Sequence, residues 1–223
     1  MPDLPNRAAS EAELSAALYL LFAEHEARAL ALLADSSDPS RLTPEFWQAM
    51  QTDIEDALAV HLSRIHEEAA QRMAAGLGLP GSLQTEVANA YVWATQRGYE
   101  LSTELVANVQ ASVTEAIARV SLGEVATLGV VMAALLGPDR AARISATEIT
   151  NAVSAGEFDQ RDALEERYGV TIVAIWNTRD NDACRTCTRM NRLTEVEFSR
   201  YYPSGPGDQV HPTCRCFLTW EII

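Results

Sequence analysis

A chain of 223 residues, 48% apolar and 22% charged, holds enough material for a buried core and is too apolar to stay disordered. Its net charge of −14, carried without a single Lys, repels phosphate and disfavours broad nucleic-acid binding. The excess is uneven: residues 1–175 hold 11 Arg against 25 Asp or Glu, whereas residues 176–223 hold 6 against 6, so only this Arg-rich tail could touch a nucleic acid.

The opening run MPDLPNRAASEAELSA is acidic and lacks an apolar centre, so it does not read as a secretory signal. Residues 11–34 then place Leu14, Leu18, Leu21, Phe22 and Leu32 near helical spacing, and SSDPS (Ser36 to Ser40) ends that helix. Thr43, Pro44 and Glu45 form a helix start, and the stripe Trp47, Met50, Ile54, Leu58, Leu62, Ile65 continues to the breaker GLGLPG at Gly76 to Gly81. A third helix is expected from about Thr85 to Arg119. Ser121 with Glu124 then makes a capping-box pattern that opens a short apolar helix, stopped at Gly137-Pro138. That run, LGVVMAALLG, falls well short of the roughly 20 residues a spanning helix needs, which predicts a soluble protein. A further helix runs from Asp139 to Gly169, with a bend expected near Gly156. The pattern then changes: Val170 to Thr178 and CFLTWEII are β-branched and alternating, as strands are. A lone two-stranded ribbon is marginal in water, so it must pack on the helices or be fixed by a metal. Trp176 and Trp220, one on each strand, read as core.

All four cysteines lie beside these strands, as Cys184 and Cys187 in a Cys-x-x-Cys and as Cys214 and Cys216 in HPTCRC, with His211 three residues before Cys214. A tight Cys-x-x-Cys turn presents two thiolates to one ion, and an extended Cys-x-Cys points both sulfurs to one side. Tetrahedral zinc takes four N or S ligands, so these five candidates leave one surplus. Structural zinc is favoured over metal-free thiols. A disulfide pair is disfavoured without an export signal, and a thioredoxin-like site needs an α/β fold. A zinc deaminase needs His-x-Glu, where this chain has His211-Pro212-Thr213. Asp180 and Asp182 read as a turn into the knuckle, and Glu148 as a possible network carboxylate. His25, His61 and His66 are expected at the surface or boundary. No Gly-rich phosphate loop, Ser-His-Asp set or Walker motif is present, so the chain does not read as an enzyme.

The order RAARISATEITNA, IVAIWNTRDNDACRTC and HPTCRC resembles the C-terminal domain of the phage head morphogenesis, or minor head protein, family (Mu F-like proteins). It is carried by Arg140, Ala141, Ile144, Thr147 and Glu148, then Trp176, Asp180, Cys184 and Cys187, then His211, Pro212, Cys214, Arg215 and Cys216. It spans about residues 85–220 and departs at Ala146, where the family usually has Arg. The expected fold is mainly α: an elongated helical body with a small C-terminal two- or three-stranded β element stapled by a Cys/His zinc knuckle. The segments are an N-terminal helical region (1–84), the helical part of the Mu F-like domain (85–169) and a β/zinc-knuckle subdomain (170–223). The resemblance implies a structural protein inside a tailed-phage or prophage head, made in the host cytoplasm. It would contact the portal and other head or scaffold proteins, acting in head assembly and in DNA packaging or ejection. It implies no catalytic activity, membrane or small-molecule substrate. The alternatives are a small zinc module binding DNA through the Arg-rich tail, or a toxin-like zinc hydrolase.

Overall fold

The computed structural model describes residues 4–33, 38–80, 83–121, 128–179, 183–207 and 210–223. The fold is mainly α with a small C-terminal sheet, as the sequence predicts. Helix α1 covers Arg7–Leu33, α2 Pro44–Gly76, α3 Leu83–Ser121, α4 Leu128–Leu136 and α5 Pro138–Tyr168. Ser121, expected to cap the short apolar helix, is the last residue of α3, and its capping-box partner Glu124 lies outside the described residues, as do Asp180 and Asp182. Among the described residues no helix is long and apolar enough to cross a membrane.

Strand β1 (Ile172–Asn177) pairs antiparallel with β2 (Phe217–Ile222) in a two-stranded sheet. The register sets Ala174 opposite Trp220 and Trp176 opposite Leu218, so both tryptophans fall on the buried face. Gly169 makes the turn out of α5 possible: its φ of +65° is the left-handed conformation that closes helices, and its N–H reaches Glu165 O at 2.9 Å. Two short helices that the periodicity does not announce, α6 (Arg185–Met190) and α7 (Glu195–Phe198), lie between the strands. Residues 192–194 also bond along the outer edge of β1, through Arg192 N–H to Trp176 O, Trp176 N–H to Leu193 O and a single bridge of Ile175 to Thr194. They stand in for the third strand the sequence left open.

Compactness divides the chain into two units that are discontinuous in sequence, whereas the segments 1–84, 85–169 and 170–223 divide it by residue character. One unit comprises Glu13–Ala59 and Thr95–Ala142, with a core that includes Leu14, Leu18, Phe22, Met50, Ile54 and Leu58. The other comprises Met1–Ala12, Val60–Ala94 and Arg143–Ile223. Its core joins Met73 of α2 and Leu164 of α5 to the strand residues Ile172, Ala174, Trp176, Leu218 and Trp220, and to Cys187, Cys214 and Cys216. Phe198 of α7 packs edge-on against Trp176 at 5.4 Å, and Phe158 of α5 against Trp220 at 5.3 Å.

Two histidines depart from expectation. His25 and His66 are fully buried, and only His61 lies at the boundary. Each buried imidazole reaches a carboxylate at the rim of its own unit, His25 Nε2 to Asp53 Oδ2 at 2.9 Å and His66 Nε2 to Asp159 Oδ2 at 3.1 Å. For His25 burial is tolerated because the ring is apolar on its faces and its tip hydrogen-bonds Asp53.

Candidate metal centre

Cys184 is the N-cap of α6, and its sulfur accepts the N–H of Cys187 at 3.4 Å. A thiol so placed does what a Ser or Asp cap does, satisfying one of the helix's orphan amides. The cap leaves Cys184 exposed at the helix start and turns Cys187 inward, where it is buried. Across from it, Cys214 N–H closes a turn onto His211 O at 3.3 Å, and Cys216 leads into β2. Thr213, inside that turn, has φ +62°, a conformation a β-branched residue adopts only when its surroundings impose it. Its N–H donates to Thr147 Oγ1 of α5 at 2.9 Å.

The five candidate ligands therefore converge. Cys184, Cys187 and His211 form one group with ligand atoms within 4.8 Å of one another, and Cys187, Cys214 and Cys216 form a second. Cys187 belongs to both. Its sulfur lies 3.2 Å from His211 Nε2 and 3.8 Å from Cys214 Sγ. Thiolates about 2.3 Å from a tetrahedral ion stand about 3.8 Å apart, so the Cys187–Cys214 pair already has the length of a tetrahedral edge. His211 Nδ1 lies 2.9 Å from Pro212 O. As the donor there, Nδ1 leaves the lone pair on Nε2, facing the sulfurs, as a ligating imidazole requires. The Cys/His groups are thus close enough to hold a metal ion. The cluster also lines a cleft of about 560 Å³ that includes Arg179, Thr213 and Arg215.

The sulfurs hold their protons unequally. A hydrogen bond from Cys187 draws the Cys214 thiol down to about 2, and the same bond pushes the Cys187 thiol well up. A bond from Cys187 lowers Cys216 as well, but the Cys214 sulfur and burial outweigh it and leave it pushed up to about 12. Burial raises Cys184, yet the N–H groups at the start of α6 bring it below its ordinary value. His211 is lowered by burial and raised more by the Pro212 carbonyl and the neighbouring sulfurs. The cluster shares its protons among closely spaced sulfurs, and a cation that binds there must displace them.

The candidate ligands are braced by residues whose sequence pattern does not mark them for that purpose. Thr150 Oγ1 donates to Cys214 O at 2.5 Å and Ser154 Oγ to Pro206 O at 2.7 Å, both from α5. Glu157 accepts Trp220 Nε1–H at 3.2 Å, and Glu148, buried, accepts from Asn151 Nδ2 at 3.1 Å. Glu148 is therefore part of a network, as its mid-helix position allowed. Arg7, 143 residues from Thr150, reaches it with no signal in the sequence at all. Comparison with family models, with curated proteins and with solved structures finds no match to this chain.

Proposed function

We propose that the Cys/His cluster is a structural zinc site and that the chain is a portal-associated minor head protein of a tailed phage or prophage. Zinc is favoured among metals because the donors are thiolates and an imidazole, with Cys187 and Cys214 at the spacing of a tetrahedral edge, four of the five serving as ligands. When bound, the ion supplies cross-linking and no chemistry of its own. Cys184 and Cys187 would hold it from α6, and Cys214, with His211 or Cys216, from the loop before β2.

One observation carries the head-protein reading. The stretches that make the resemblance, SATEIT and HPTCRC, touch: Thr147 bonds Thr213 across 66 residues and Thr150 bonds Cys214 across 64. Motifs so far apart that depend on each other physically form one module, which is what a shared family domain would require. Ala146, the departure from the resembled pattern, is buried, and the neighbouring turn at Thr150 receives the guanidinium of Arg7. The −14 charge favours protein contacts over coating of packaged DNA. The test is a pull-down with the cognate portal under reducing conditions with zinc present. Retention of the wild-type protein is expected, and failure to bind would sink the portal assignment.

A second reading, a DNA-binding module, is favoured by Arg185, Arg189 and Arg192, all exposed on or beside α6. It would show as gel shifts that weaken steeply with salt, because phosphate contacts exchange with counterions.

A further inference from the structure

We propose that Arg7 is a positioning residue for the metal ligands, holding the Cys214–Cys216 segment from the first turn of α1. The inference rests on the metal reading above.

Arg7 is 1% exposed, although it carries a permanent charge. Burying a guanidinium is costly unless it is paired and hydrogen-bonded, so the groups it meets indicate what it does there. Its Nε donates to Glu11 Oε1 at 2.9 Å. Its Nη2 donates to Thr150 Oγ1 and, at 3.4 Å, to the carbonyl oxygen of Cys214. Thr150, accepting from Arg7, donates its own hydroxyl hydrogen bond to that same carbonyl at 2.5 Å. The other oxygen of Glu11 accepts from Arg215 Nη2 at 2.7 Å. The peptide that follows the Cys214 sulfur is thus gripped at its carbonyl by Arg7 and Thr150, and the next side chain is gripped by Glu11. Cys214 and Cys216 flank that grip.

Groups of this kind fix the direction of a ligand without touching the ion, and losing one typically weakens metal retention about 10–100-fold. A plain structural ion pair would instead lower stability and leave metal release untouched. Arg161, which pairs with Glu195 in the same unit, is the control for that case.

The experiment loads the full-length protein with zinc and follows its transfer to an excess of coloured chelator, with circular dichroism confirming the fold of each variant. Arg7→Ala and Thr150→Val are expected to release zinc about tenfold faster than wild type or more. Thr150→Ser, which keeps the hydroxyl, is expected to restore the wild-type rate, and Arg161→Ala to leave it unchanged. Should Arg7→Ala fail to fold, the near-isosteric Thr150→Val against Thr150→Ser decides alone. Folded variants that release zinc at the wild-type rate would overturn the role of Arg7 and leave the metal site standing. A wild-type protein that takes up no zinc would overturn the metal reading, and this one with it.

Discussion

Cys187 belongs to both candidate ligand groups, and its sulfur meets an imidazole on one side and a thiol on the other. In the absence of an ion, the Cys187 proton is what lets Cys214 ionise, so Cys187 is held protonated far above the ordinary thiol range. His211, raised by the Pro212 carbonyl and the sulfurs against the effect of burial, keeps its proton to higher pH than a free imidazole. A metal needs the thiolate and the neutral imidazole, so binding must expel these protons. The sign follows: lowering the pH favours the protonated groups and weakens binding. Each proton displaced is worth about tenfold in affinity per pH unit, so the apparent zinc affinity is expected to fall at least about tenfold between pH 8 and pH 6. Competition against a chelator of known pH dependence measures it. An affinity flat across that range would mean that the ion does not take these groups as ligands. The residue types and spacing made the convergence of the candidate ligands legible in advance, because Cys-x-x-Cys and HPTCRC advertise soft donors. The proton distribution was not legible, because it depends on which sulfur faces which.

At the scale of elements, α5 is the scaffold. Thr147, Thr150, Ser154 and Glu157 recur at three- and four-residue intervals, a stripe that bonds the ligand loop, the Pro206 carbonyl and Trp220. Hydrophobic periodicity reveals helices that bury apolar faces, and a buried polar stripe escapes it, which is why the supports of the site went unseen. Helices α6 and α7 escaped for another reason, being too short to show a period. The capping box of α7, Thr194 with Glu197, was nonetheless written in the sequence. Gly156 reads from sequence as a bend, yet α5 runs unbroken through it. Its purpose is packing: a Cβ there would collide with the carbonyl oxygen of His66 on α2, within the same compact unit. In an open helix Gly→Ala gains about 0.5–1 kcal/mol, but overpacking against backbone costs about 1–3 kcal/mol. The second effect wins, so Gly156→Ala is expected to destabilise the protein by about 1–2 kcal/mol in urea unfolding. A stabilised variant would contradict the close approach of α2 and α5.

At the scale of the whole molecule, the sequence offered the terminal ribbon two ways to persist, packing on helices or fixation by a metal; the structure shows the packing and brings the Cys/His groups close enough for an ion. Trp176 and Trp220 bury themselves among Met73, Leu164 and Phe198, and the buried sulfurs of Cys187, Cys214 and Cys216 belong to the same core. The overall fold class was legible because long amphipathic helices and β-branched strands declare themselves locally. The compact units were not, since Arg7 and Glu11 join residues near 150 and 215 through contacts that no local pattern encodes. The proposed staple requires that these converging side chains hold an ion. The direct measurement is elemental mass spectrometry of the purified, reduced, untagged protein, with wild type beside Cys187→Ser. About one zinc per chain in wild type, lost in the variant whichever other ligands complete the set, is the predicted result. Wild-type protein that is folded, fully reduced and free of metal would contradict it, and would leave the four cysteines as plain thiols.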